Sequence, residues 1–173
     1  MELSNTVVDH DIAKLLCGPR FIDFDENYTI FSRNLDGESG LLRSDVDNRM
    51  LGYQLGMELY YPILRRTYID FRARGGAYAN FIDLDLQIVN DGVLVGEVFD
   101  DSIKLAFQGE IGGGIRVDLL DRLSFRLGGE LWYFSRISAA RDQFNNGIVG
   151  RRNVQANSDF FVGGVSAGFE YFY

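Results

Sequence analysis

The feature that most constrains this chain is a period-two alternation of apolar and polar residues, sustained well beyond the 5 to 6 residues usual for a strand. Between 105 and 119, Leu105, Phe107, Gly109, Ile111, Gly113, Ile115, Val117 and Leu119 share one face. The other face carries Lys104, Gln108, Glu110, Arg116 and Asp118, with Ala106, Gly112 and Gly114 between them. A helix would scatter these residues around its circumference, whereas a strand sorts them to two sides.

The pattern recurs. Leu123, Phe125, Leu127, Leu131, Tyr133 and Ile137 alternate with Ser124, Arg126, Glu130, Trp132, Phe134 and Arg136, and only Leu119-Leu120-Asp121-Arg122 separates this run from the previous one, which predicts a hairpin. Leu51 to Tyr61 alternates with Gly52, Gln54, Gly56, Glu58 and Tyr60 and is closed by Pro62; Ile69 to Phe81 follows as its hairpin partner. A last strand runs from Ser158 to the C-terminus. Near the start, residues 13 to 24 and 28 to 33 read as two strands around an Asp25-Glu26-Asn27 turn, preceded by a weaker strand over Glu2 to Val8. The expectation is an all-β, up-and-down antiparallel barrel of about eight strands, in one domain over 1–173.

Connection lengths alternate as well: short near 9 to 12, short at 25 to 27, long at 34 to 47, short at 62 to 66, long at 85 to 103, short at 119 to 122, long at 139 to 157. The long ones hold Asp36-Gly37-Glu38-Ser39-Gly40, Asp91-Gly92, Asp100-Asp101-Ser102 and Asn145-Asn146-Gly147. Short turns at one end and long polar loops at the other are the plan of a transmembrane barrel. With 20 glycines and 2 prolines, the chain suits long strands and tight turns rather than helices.

A net charge of −8 and the lack of a basic stripe argue against nucleic acid as partner. One cysteine, Cys17, permits no intrachain disulfide, and one histidine, His10, builds no histidine-rich metal site. His10 between Asp9 and Asp11 reads as a solvated connection residue, and no serine lies in a nucleophile motif with it. Gly112-Gly113-Gly114 sits inside an alternating strand with no helix after it, so it reads as space-making glycine rather than a phosphate loop. Asp100-Asp101 lacks calcium-loop spacing and reads as an acidic rim. No catalytic residue, metal or cofactor is expected. No run of about 18 apolar residues exists, and no charged-then-apolar leader precedes residue 20; an exported protein would reach this form after processing.

Which face points outward decides the protein's habitat. Of the 17 basic residues only Lys14 and Lys104 are lysine. The polar faces are therefore arginine and carboxylate set among glycines and aromatics, a composition that suits forked pairing in a confined lumen. The expected lumen network is Arg20, Arg72, Arg74, Arg116, Arg126 and Arg136 with Glu58, Asp70, Glu110, Glu130 and Glu170. Tyr61, Tyr133, Phe161, Tyr171 and Tyr173 lie near strand ends on the apolar face, where interfacial girdles sit. The alternative is a soluble lipocalin-like barrel with the apolar face inward around an apolar ligand.

The chain ends Ser166-Ala167-Gly168-Phe169-Glu170-Tyr171-Phe172-Tyr173. This resembles the C-terminal signal read by the bacterial barrel-assembly machinery, with Ser166, Gly168, Tyr171 and Tyr173 in its polar, glycine and aromatic places. The whole layout resembles small outer-membrane barrels typified by the OmpA transmembrane domain. Stretches such as Leu15-Leu16-Cys17-Gly18-Pro19-Arg20-Phe21 leading to Asp25-Glu26, and Leu51-Gly52-Tyr53-Gln54-Leu55-Gly56, are similar to a planctomycete outer-membrane barrel family of undefined function. That resemblance implies a bacterial outer-membrane location, lipid and the assembly machinery as partners, and family residues ahead of Met1. The functional expectation is a non-enzymatic structural or adhesive barrel, with a small-solute pore as the alternative membrane reading.

Overall fold

Period-two sequences become strands when a neighbour satisfies their backbone, and this chain supplies its neighbours in order. The computed structural model describes residues 5–9, 13–35, 37–144 and 154–171. They form strands β1 (Asn5–Asp9), β2 (Ala13–Arg33), β3 (Ser39–Leu64), β4 (Thr67–Asn90), β5 (Val93–Leu120), β6 (Leu123–Ile137) and β7 (Ser158–Tyr171). The only regular helix among the described residues is a 3-10 turn at Ala140–Gln143. Every strand pairs antiparallel with the next in one seven-stranded sheet, six long strands and the short β1, and no pairing joins β7 to β1 among the described residues. The sheet is therefore not closed.

The sheet is nonetheless strongly coiled. Laid flat, β2 and β7 would stand about 24 Å apart at 4.8 Å per strand. Instead Phe24 of β2 stacks on Phe160 of β7 with centroids 5.3 Å apart, and Arg20 of β2 reaches Glu110 of β5 at 3.2 Å and lies 4.9 Å over the ring of Trp132 on β6. The concave side is a filled interior.

Several sequence expectations are corrected. Asp25-Glu26-Asn27 is no turn: these residues pair with Asp47, Val46 and Asp45, so 13 to 33 is one strand and the count falls from eight to seven. Turn-type residues are tolerated because they are bonded from outside the strand: Asn27 donates to Asp45, and Glu26 accepts from Ala140 N at 2.9 Å. The connection at 34 to 47 shrinks to a turn before Ser39. That at 85 to 103 shrinks to Asp91-Gly92, whose φ values of 49° and 76° are those of a two-residue hairpin turn. Nor does Pro62 end its strand; β3 continues to Leu64 after a register shift that absorbs the missing N–H.

Within the long strands the apolar side changes partway. On β4, outward-pointing Ile69, Phe71, Ala73, Ala77 and Phe81 give way to Asp83, Asp85 and Gln87, while inward Ile82, Leu84 and Leu86 become the buried side. On β3, outward Leu51 to Tyr61 gives way to Arg43, Asp45, Asp47 and Arg49, with Val46 buried inside. The registers align the change: Asp25, Asp47, Asp83 and Asp101 lie side by side across β2, β3, β4 and β5. The molecule thus has a belt, with apolar residues outside, and a lobe, formed where β2 to β5 run on beyond β6 and β7.

Candidate functional site

The candidate site is the concave interior, and three layers fill it. In the belt, inward positions carry ions. Glu110, with its side chain 2% exposed, accepts from Arg20 at 3.2 Å and lies 3.3 Å from the charged Arg72 Nε, and Arg72 also binds Glu130. Arg126 forks onto Asp70 through Nε at 3.0 Å and Nη2 at 2.6 Å, and Arg74 meets Glu58 at 2.7 Å. Arg116 lies 3.4 Å from Asp118 and 3.6 Å from Glu170. Apart from Arg116 and Asp118, two residues apart on β5, these pairs bridge strands rather than neighbours in sequence, which is what allows buried charge to persist at low dielectric. Glycine makes the room: a Cβ at Gly112 would stand 3.0 Å from Arg72 Nε, and one at Gly114 would stand 2.8 Å from Leu127 O and 3.1 Å from Asp70. Toward the short turns the network lines an open polar cavity of about 260 Å³ walled by Glu58, Tyr60, Asp70, Arg72, Arg116 and Arg126.

A second layer closes the middle. Tyr78 lies between Gly52 and Gly76 with its hydroxyl 3.4 Å from Gln108, and Met50, Ala106, Phe134 and Ile137 pack with it. Arg20 also donates to Gln54 at 3.1 Å.

The third layer lies inside the lobe and was not expected. Instead of hanging outward, the described parts of the 139 to 157 connection fold onto the concave face: Ala140, Phe144, Val154 and Ala156 are buried against Val46, Ile82, Leu84 and Leu86. A polar staple holds them. Asn48 donates to Ser138 O at 2.8 Å and accepts from Ser138 N at 3.0 Å and from Asn80 at 2.8 Å; Gln143 donates to Ser138 Oγ and Gln155 O and accepts from Gln155 N. The long connections are thus not simply polar loops.

Of the expected network, ten residues meet here: Arg20, Glu58, Asp70, Arg72, Arg74, Glu110, Arg116, Arg126, Glu130 and Glu170. Arg136 does not. A register shift between Phe134 and Ile137, with Arg136 at φ 59°, turns its guanidinium out over the ring of Phe107 at 5.7 Å. Asp118 and Ser124, bonded at 2.6 Å, join the network and were missed as partners, although both stood on the polar face. Asn48, Asn80, Gln54, Gln108 and Gln143 were missed too, because neutral amides give no charge signal. Asp100 and Asp101 are adjacent on β5 and so point to opposite faces, which dissolves that cluster. Among the described residues no three His, Cys, Asp or Glu side chains converge on a metal position. No helix among them is long and apolar enough to cross a membrane.

At the C-terminal signal, Ser166, Gly168 and Tyr171 pair with Gly128, Arg126 and Leu123 of β6, and β7 is the edge strand of the sheet. Tyr173 lies outside the described residues, as do His10, Asp11, Asp36, Asn145-Asn146-Gly147 and the beginning of the strand expected from Glu2. No family model, no curated protein and no solved structure matches this chain.

Proposed function

We propose that the chain is an integral β-barrel of a bacterial outer membrane with a structural or adhesive role, its belt in the hydrocarbon layer and its lobe in water outside. The observation that carries this reading is the change of apolar face at the aspartate row. A protein in water throughout has no reason to expose Leu51, Tyr53, Leu55 and Tyr61 at 53 to 67% on one half of a strand and Asp45 and Asp47 on the other half. A strand leaving a bilayer does.

The dimensions agree. Leu51 to Tyr61 spans about 33 Å along the strand at 3.3 Å per residue, or about 25 Å across a bilayer at a tilt near 40°, against an apolar band about 25 Å tall. Outward aromatics stand toward both limits, with Phe21 and Phe81 near the aspartate row and Tyr61, Phe169 and Tyr171 near the short turns. In lipid the free backbone of β7 and β1 must be paired, and closure of the coiled sheet into a barrel does that. The edge position of β7 suits capture of its Ser166, Gly168, Tyr171 pattern by barrel-assembly machinery.

Heat-modifiability tests this reading. Detergent-solubilised protein should migrate faster unboiled than boiled on a denaturing gel, and a detergent-free preparation should not yield a folded monomer. A monomer folded in buffer alone would overturn it. A pore is the less favoured membrane reading, since Tyr78 and Met50, each 1% exposed, fill the middle of the interior; discrete single-channel steps in planar bilayers would reverse that preference.

A further inference from the structure

The far end of the lobe is built as a rigid platform with an apolar groove in it. Two hairpin tips meet there and are tied reciprocally: Ser39 N donates to Asp91 Oδ1 and Asp91 N to Ser39 O, both at 2.7 Å. Asn34 braces its own turn, donating from its side chain to Glu38 at 2.8 Å and accepting from Glu38 N at 2.9 Å. Between the tips lies a groove of about 430 Å³ whose lining includes Ile30, Ser32, Gly40, Leu42, Ile88 and Val95. Val95 is brought there by the register shift opposite Ile88 and Val89, and it remains 59% exposed. Val93 and Leu94, paired with the lining residues Asn90 and Val89, are 63 and 51% exposed. Apolar surface held open by a pre-organised backbone marks an interaction site.

Charge identifies the occupant. Between 23 and 49 the chain carries seven acidic residues and Arg33, Arg43 and Arg49; between 83 and 101 it carries six acidic residues and no basic one. That is a formal balance of −10 over these two segments and −8 once the 139 to 157 connection is added, with Arg141, Arg151 and Arg152 against Asp142. Beside the groove, 28 to 43 and 85 to 98 carry Asp36, Glu38, Asp85, Asp91 and Glu97 against Arg33 and Arg43, a balance of −3. A second copy would bring the same negative lobe, so pairing of two lobes is opposed by their own field. Lipid is out of reach: the ten residues from Arg49 to Ser39 put the groove about 33 Å along the strand from the belt. We infer that the groove docks a cationic peptide segment of another protein, with apolar side chains seated between Ile30, Leu42 and Val95 and basic side chains facing the acidic flanks. This deepens the adhesive part of the function proposed above and rests on it.

The test uses the full chain in detergent micelles and two labelled peptides of equal length and charge, one alternating lysine with leucine and the other lysine with serine, followed by fluorescence polarisation. The lysine-leucine peptide should bind at least about tenfold tighter, and Val95→Ser or Ile30→Ser should remove about tenfold of that affinity, the worth of one buried aliphatic side chain. Equal binding of both peptides, binding untouched by either variant, or wild-type dimers that Val95→Ser dissolves would overturn the proposal. Should either variant fold poorly, the two peptides on the wild type still decide. Heat-modifiable migration of each variant reports the barrel separately, so failure of the groove and failure of the membrane reading are told apart.

Discussion

Belt and lobe are built from the same strands, β2 to β5, yet they solve opposite problems. In the belt, leucine, isoleucine and phenylalanine face outward and the interior is held by ions: Arg20, Arg72 and Glu110, Arg126 with Asp70, Arg74 with Glu58. In the lobe the exterior carries Arg43, Asp45, Asp47, Asp83 and Asp85 with Phe31 and Phe99 among them, and the interior is Val46, Ile82, Leu84 and Leu86 under an inserted loop. A strand can carry both plans because its side chains alternate strictly, so a one-residue slip in the hydrophobic phase moves the apolar set to the other face without altering the backbone. The slip falls at Met50-Leu51 on β3 and at Phe81-Ile82 on β4, close to the row of aspartates. What differs between the halves is therefore which face of each strand carries the apolar residues.

The largest effect should come from the belt's interior. Glu110→Ala leaves Arg20 and Arg72 without their shared carboxylate in a buried layer and should cost about 3 to 5 kcal/mol. The midpoint of denaturant unfolding in micelles measures it; a loss below about 1 kcal/mol would mean that the interior is wetter than the ion pairs imply.

Next come matched substitutions on the two exteriors. Leu55 in the belt and Phe99 in the lobe are exposed to similar extents, 67 and 60%. Leu55→Arg should cost about 2 to 4 kcal/mol in a bilayer, whereas Phe99→Arg should stay within about 0.5 kcal/mol. Refolding yield into lipid vesicles, compared for the two variants, decides it, and equal yields would erase the distinction between belt and lobe.

An effect smaller than that of Leu55→Arg should come from the staple beneath the lobe. Asn48→Ala strands the Ser138 backbone and the Asn80 amide and should cost about 1 to 3 kcal/mol. It should also speed proteolysis within 138 to 157, with the rest of the sheet intact. Unchanged cleavage kinetics would show that the apolar contacts of Ala140 and Phe144 hold the loop unaided.

Much of this was legible along the chain. Ten of the eleven network residues were readable as one face because side-chain parity is a local property, and parity carries across a strand whatever its neighbours are. Arg136 departed because a register shift, which parity cannot foresee, reset the count between Phe134 and Ile137. The phase slip itself stood in the sequence, with Ile82, Leu84 and Leu86 alternating against Asp83, Asp85 and Gln87. Yet a change of phase looks the same as the end of a strand until a partner strand is found to continue beside it, and so 34 to 47 and 85 to 103 read as loops. The staple was invisible for another reason: Asn48 and Ser138 are 90 residues apart, and amides carry no charge to pair by eye.

The sequence by itself determined that this is an all-β chain of long antiparallel strands, which residues share a side of each, and that arginine and carboxylate would have to meet one another. These follow from backbone geometry and composition. Only the tertiary structure decided that there are seven described strands in an open coiled sheet, which ion meets which, that a long connection folds inward, and that two tips join into a platform. Those outcomes depend on register and curvature, which are set by hydrogen bonds between residues far apart in the chain and so leave no local trace.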